Sequence, residues 1–297
     1  MENKMSGSGP VDDKVVTLPG LDTPVAGVQF AGYMPVTGSE NPKGPNAGLF
    51  YWFAGTEDYA KRPLIIWSNG GPGSSSFWGF FLENGPYDVS LPKGAAAGFV
   101  VKPRESAWNQ YANYMIFEHP LTVTMSFAED KDAPKTVEEG MDQYYQALLN
   151  FLDKHPELAK NPIILAGESY AGTYLPLLAK SIVAGNAKEG GVKLDLRGTV
   201  LLDAWVDPWV QMATDTTYAF NHGLISATEK EVLDKNVSLP EVDNEIYNLC
   251  GVYMANIARA GDPPFDPVMA YLNNDDFRKA VHPSLFYFGD ECVSVGS

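Results

Sequence analysis

Residues 162–172 read Pro162-Ile163-Ile164-Leu165-Ala166-Gly167-Glu168-Ser169-Tyr170-Ala171-Gly172. The first five form a short apolar run of the kind a buried strand uses, and an apolar helical stretch follows, ending near Gly185-Asn186. A serine between a buried strand and a helix, with small residues two before it (Gly167) and two after it (Ala171), fits a nucleophile elbow, whose cramped turn leaves no room for large side chains. The hydroxyl is then presented beside a helix N-terminus, where the dipole favours developing negative charge. The bare G-x-S-x-[GA] pattern recurs by chance, so its weight depends on its surroundings.

Those surroundings are more strands. Leu49–Phe53, Pro63–Trp67, Tyr114–Phe117 and Gly198–Leu202 all read as strands. Thr136 with Glu139 three residues on reads as a capping box. Val137, Met141, Tyr144, Tyr145, Leu148, Leu149 and Leu152 follow it at helical spacing. Alternating strands and helices predict an α/β fold with a mainly parallel twisted sheet and helices on both faces. The strand ending at Trp67 runs into Asn69-Gly70-Gly71-Pro72-Gly73. An ordinary glycine-rich turn would look the same. In the order strand, loop, strand, elbow, however, its amides are free of Cβ atoms and suit an oxyanion hole for acyl transfer. From about Trp205 to about Asp266 the pattern becomes helical pieces with polar loops, as expected of an inserted cap.

Composition narrows the function further. A chain of 297 residues with 45% hydrophobic side chains can bury a full core. Its 21 Lys and Arg stand against 37 Asp and Glu, a net charge of −16. Such a surface repels phosphate backbones and anionic lipids, so neither nucleic acid nor a membrane is the expected partner. No run of eighteen uncharged apolar residues is present, and Met1–Pro10 lacks a basic start and an apolar core, so no membrane span and no signal peptide is expected. The two cysteines, Cys250 and Cys292, have no metal-ligand spacing. The four histidines, 119, 155, 222 and 282, are scattered, so no metal or other cofactor is expected.

Across these segments the sequence resembles the serine carboxypeptidase family of α/β hydrolases. Trp67–Ser76 followed by Phe80–Pro86 is similar to the family's W-x-N-G-G-P-G-x-S-S and E-x-G-P blocks, and Gly167–Gly172 to its G-E-S-Y-A-G block. Leu18–Gly20, Phe50–Phe53, Tyr218–Ile225 and Val281-His282 are weaker echoes, and the likeness runs from about Val15 to Val295. The resemblance implies that Ser169 is the nucleophile and that the amides of Gly71 and Tyr170 form the oxyanion hole. Asn69, the Gly70 backbone, Glu83 and Glu168 would bind the free C-terminal carboxylate of a peptide. Two carboxyls facing a third must share protons, so their pKa values should rise and binding should favour acid pH.

The chain also departs from the family pattern. Where the family has D-Q-P-x-G-x-G-F-S, this sequence has Glu118-His119-Pro120-Leu121-Thr122-Val123-Thr124-Met125-Ser126, without the glycines. Ser74 stands where many members have a cysteine whose partner would match Cys292, which leaves Cys292 free or paired with Cys250. The family's catalytic Asp and His lie beyond the segment matched by Val281-His282. Within the chain the candidates are His222 or His282 with Asp203, Asp207 or Asp290, and His119 is no stronger. The expectation is therefore a second polypeptide that supplies the Asp, the His and the last strands.

The expected organisation is a flexible leader or expression remnant at 1–10, a core at 11–204, a helical cap at 205–266 and a return to an incomplete core at 267–297. The expected activity is removal of C-terminal residues from peptides through an acyl-enzyme on Ser169. An acyltransferase of the same family and a catalytically silent binding protein are the alternatives. Family habit implies a secreted, periplasmic or vacuolar/lysosomal location.

Overall fold

The structure, a computed structural model, describes residues 13–37, 47–90, 99–129, 131–250 and 266–281. They cluster into two compact units, divided at Ala204/Trp205 and at Pro264/Phe265. In the first unit the strands are β1 Gln29–Thr37, β2 Ala47–Ala54, β3 Leu64–Ser68, β4 Tyr87–Ser90, β5 Val100–Pro103, β6 Asn113–Phe117, β7 Phe127–Ala128, β8 Ile163–Glu168 and β9 Leu196–Leu202. Helix α1 is Val137–Lys154 and α2 is Ala171–Ala187. The main sheet has the order β1-β2-β6-β3-β8-β9, with β7 also on β2, while β4 and β5 form a separate hairpin. Strands β6, β3, β8 and β9 run parallel, and β1 and β2 add an antiparallel side.

Alternation along β2 explains why it lies wholly inside. Leu49, Tyr51 and Phe53 face the layer that contains Met141, Tyr144, Leu148 and Phe151 of α1 and Leu175, Leu178 and Ile182 of α2. Phe50, Trp52 and Ala54 face the other layer, with Phe77, Phe80 and Phe81. A strand covered on both faces must be apolar throughout, which is the reason for the unbroken run Leu49–Phe53. Thr136 caps α1, its Oγ1 accepting from the Glu139 amide at 3.2 Å. The Glu139 carboxylate, however, accepts from the Lys135 amide at 2.7 Å, one residue before the position that a capping box requires, so only half of the expected box forms.

The second unit, Trp205–Pro264, contains α3 Pro208–Met212, α4 Asp215–Asn221, α5 Ala227–Asn236 and α6 Leu239–Cys250. Ala219, Ile225, Leu233, Val242 and Ile246 form its own small core. Here Ser226 and Glu229 make a complete capping box at the start of α5. The chain then rejoins the first unit through α7 Asp266–Leu272 and α8 Asp275–Val281. Tyr271, Phe277 and Val281 pack with Trp52, Phe77 and Phe81, on the sheet face opposite α1 and α2. Among the described residues no helix is long and apolar enough to cross a membrane. The N-terminal leader, His282, Asp290 and Cys292 lie outside the described residues.

Candidate active site

The site lies at the C-terminal ends of the parallel strands β3, β8 and β9. Strand β8 ends at Glu168, Ser169 turns with φ +54°, and α2 begins two residues later. A left-handed backbone at a non-glycine residue is uncommon and strained, and here it lifts the serine out of the sheet and leaves it exposed. The neighbours leave no space for anything larger than glycine at 167. A Cβ there would lie 2.4 Å from the Ser68 carbonyl oxygen and 2.7 Å from the Ala171 Cβ. The Ser169 amide donates to the Leu202 carbonyl at 3.2 Å, which ties the turn to β9.

The glycine loop after β3 reaches this turn directly. A Cβ on Gly70 would lie 2.4 Å from the Tyr170 amide nitrogen and 2.8 Å from the Ser169 Cβ, so only glycine allows the two backbones to meet. Gly71 has φ +109°, again a glycine conformation. The loop is braced by the Ser74 amide donating to the Gly70 carbonyl at 3.1 Å and by the Gly73 amide donating to the Tyr174 hydroxyl at 3.2 Å. Neither the Gly71 nor the Tyr170 amide donates to another group among the described residues.

Beside the loop, Asn69 organises two acids. Its Nδ2 donates to Glu83 Oε1 at 3.0 Å and to Glu168 Oε1 at 2.9 Å, while its Oδ1 accepts from Trp67 Nε1 at 2.8 Å and from the Gly79 amide at 3.0 Å. The amide is thereby fixed in orientation, and the glutamates share one donor. Burial first, and then the Glu168 charge, push Glu83 up to about 7. Burial raises Glu168 as well. Asp203, exposed and at φ +37° just after β9, raises both glutamates by its charge. The turn carrying Glu83 is held by Arg104, which donates to the Gly85 and Tyr87 carbonyls at 3.1 and 3.0 Å.

The candidate bases are less well supplied. Among the described residues Ser169 Oγ makes no hydrogen bond to a histidine. His119 is buried at the end of β6, with Nε2 3.0 Å from Ser68 Oγ and its ring against Tyr144 and Tyr174. Burial lowers it to about 3, so it is neutral and structural. His222 belongs to the second unit, where it stacks on Tyr218 and its Nδ1 lies 2.9 Å from the Tyr218 carbonyl. Asp207 caps α3 by accepting from the Val210 amide. His155 pairs with Asp13.

Two participants are not evident in the sequence alone. Tyr174 braces the loop from the first turn of α2. Glu118 sits fully buried behind the loop. An acid that directly follows the all-apolar run Tyr114–Phe117 is the signal for it, because a carboxyl is rarely buried without a specific set of partners.

A family model described as serine carboxypeptidase matches residues 19–284. Serine carboxypeptidase 3 of Hordeum vulgare is 32% identical over 308 residues, covering 98% of this chain and 58% of its own length. Serine carboxypeptidase-like 49 of Arabidopsis thaliana is 33% identical over 254 residues, covering 83% and 48%. The chain thus spans about half the length of these relatives. The crystal structure of Kex1Δp, a prohormone-processing carboxypeptidase from Saccharomyces cerevisiae, superposes with a TM-score of 0.70 at 22% identity, over 91% of this chain and 68% of that one. That likeness is one of fold, and it is the α/β-hydrolase fold. On the family match and the relatives above 30% identity, this chain belongs to the serine carboxypeptidase family.

Proposed function

We propose that the chain carries the nucleophile and the substrate-anchoring half of a serine exopeptidase site, which removes residues from the free C-terminus of peptides. The observation that carries this reading is Asn69 holding Glu83 and Glu168 together beside the strained Ser169 turn. In the proposed reaction the substrate's terminal carboxylate accepts hydrogen bonds from the Gly70 amide, from whichever glutamate is protonated, and from Asn69 Nδ2, which exchanges one of its two glutamate bonds for the substrate. Ser169 Oγ attacks the carbonyl carbon of the last peptide bond and its proton passes to a histidine base. The resulting oxyanion is met by the Gly71 and Tyr170 amides. The C–N bond then breaks, the terminal amino acid leaves with the proton, and water hydrolyses the acyl-enzyme.

The acid preference has a definite sign. Glu83, raised to about 7, is neutral below that pH and can donate to a carboxylate. Above it Glu83 is charged and repels the substrate. Binding is therefore strongest on the acid side and weakens as pH rises through about 7. An acidic secreted, periplasmic or vacuolar/lysosomal compartment suits such a site.

The base and its Asp are proposed to come from a second polypeptide, which also adds strands beyond β9. In favour of this, β9 closes one side of the sheet, and Val200 and Leu202 on it are 47% and 38% exposed. The absence of a hydrogen bond from Ser169 to a described histidine equally fits a silent binding protein. A fluorophosphonate decides between them: an adduct on Ser169 requires a working base, and its absence favours the silent protein. Hydrolysis of an N-blocked dipeptide, but not of its C-terminal amide, is expected. A product carrying an added amine acceptor in place of water would point to the acyltransferase.

A further inference from the structure

Behind the glycine loop lies a buried acid that takes no part in the chemistry above. Glu118 follows β6, and its Oε2 accepts from Ser75 Oγ at 2.6 Å and from the Thr124 hydroxyl. Ser75 in turn accepts from the Phe77 amide at 3.2 Å, while the neighbouring Ser76 hydroxyl accepts from the Asn69 amide at 3.3 Å. The backbone of Glu118 is fixed as well, its amide donating to the Phe50 carbonyl at 2.9 Å and its carbonyl accepting from Ser126 Oγ. One carboxyl thus joins the sheet, the loop after β6 and the far end of the loop that carries Gly71.

We propose that Glu118 is a positioning residue for the oxyanion loop, acting through Ser75 to hold the segment from which the Gly71 amide projects. The inference rests on the exopeptidase reading, because a misplaced Gly71 amide matters only where an oxyanion forms. Between the fixed points Asn69 and Ser75 the loop has few outside ties. Among the described residues, the Gly73 amide on Tyr174 and the Ser75 hydroxyl on Glu118 link it to other elements through side chains. An amide that stabilises a transition-state charge must be held to a fraction of an ångström, so slack at Ser75 appears in turnover and not in substrate affinity.

The titratable group that senses the Glu118 charge is Tyr144 from α1, and His119, the next residue along the chain, packs its ring on Tyr144. His119 is neutral by burial, and burial pushes Tyr144 well up. Hydroxyls and amides, not cations, act on the carboxyl, and burial pushes it up to about 7. It is therefore neutral in acid, where a glutamine can replace it in shape and as an acceptor.

The test uses the protein as purified, with any accompanying chain retained, and the variants Ser75→Ala, Glu118→Leu and Glu118→Gln. Turnover is expressed per site titrated with a fluorophosphonate, and amide hydrogen exchange is followed across residues 69–77. Ser75→Ala and Glu118→Leu are each expected to lower kcat about tenfold or more with KM within about twofold. The double variant should lose no more than either single change. Glu118→Gln should keep kcat within about threefold. Exchange in the loop should speed up in the first two variants and not in the third. If Glu118→Leu does not fold, Ser75→Ala carries the comparison. Unchanged kcat per site together with unchanged exchange in Ser75→Ala would overturn the positioning role. A wild-type protein that takes no adduct would overturn the exopeptidase reading instead, and the exchange arm would still decide whether Glu118 holds the loop.

Discussion

Ser169 occupies a backbone conformation that glycine prefers, which makes strain at the nucleophile measurable. Ser169→Gly is expected to raise unfolding stability by up to about 1 kcal/mol, while Ser169→Ala, still a Cβ residue, leaves it nearly unchanged. Both changes remove the fluorophosphonate adduct. Denaturant titration of the three proteins checks this, and equal stabilities would mean that the turn stores no strain. At Glu83 the prediction concerns pH. The carboxyl is raised to about 7 by burial and by Glu168, so KM for a substrate with a free carboxylate should climb above that pH. Glu83→Gln cannot ionise, and its KM should climb less. Superimposable pH profiles for the two proteins would remove Glu83 from carboxylate recognition.

Between the elements, the close approach of two loops is what makes a site from two motifs. Gly70→Ala would drive a Cβ to 2.4 Å from the Tyr170 amide nitrogen, so a loss of activity of roughly a hundredfold or more is expected in a protein that still folds. Activity within a few fold of wild type would show that the loops can move apart at no cost to catalysis. In the segment after β6, Thr122 and Thr124 have φ +78° and +41°, at the positions where the family pattern has glycine. The fold has kept the turn although the sequence lost the residues suited to it. Thr122→Gly should therefore stabilise the protein by up to about 1 kcal/mol, read as a shift in the denaturant midpoint. The five strands expected from apolar runs all form; β2, β3, β6 and β8 are buried on both faces, while β9, at the edge of the sheet, forms with most of its side chains exposed. Strand β1 was not legible, since Gly32 and Pro35 interrupt QFAGYMPVT and half of its side chains face a different layer. The five-residue π-helical turn Gly79–Glu83, which aims Glu83 at Asn69, has no pattern of its own; the shape depends on Gly79 lying against the Trp67 ring. Ser169 was legible from its place between a strand and a helix, whereas Asn69, Glu83 and Glu168 were named only through the resemblance of their segments to family blocks. Tyr174 and Glu118 were not legible, because their roles arise only once distant segments meet.

For the molecule as a whole, a buried acid and a half-buried one oppose each other in pH. Glu118 is raised to about 7, so its contribution is fully present below its ordinary value of 4.5 and is lost as pH rises through about 7, a change of about 3 kcal/mol. Asp13 is lowered: although burial alone would raise it, hydrogen bonds from His155, Lys154 and Tyr51 prevail. Its contribution is present above the ordinary aspartate value of 3.8 and is lost as pH falls. Stability should therefore be highest near pH 4, falling at lower pH as Asp13 is protonated and falling between about 4.5 and 7 as the raised glutamates are forced to ionise. Glu118→Gln should lessen that second fall, to which Glu83 also contributes, and leave the acid limb unchanged. Thermal unfolding across pH checks this, and a second fall unchanged in that variant would locate the titration elsewhere. The most direct measurement is the intact mass of the purified protein, with any accompanying chain, after a fluorophosphonate, followed by mapping of the adduct. One adduct on Ser169, abolished in Ser169→Ala, is the result expected of an assembled exopeptidase site. A fully folded protein that takes no adduct, or takes it elsewhere, would contradict the assignment of Ser169 as the nucleophile.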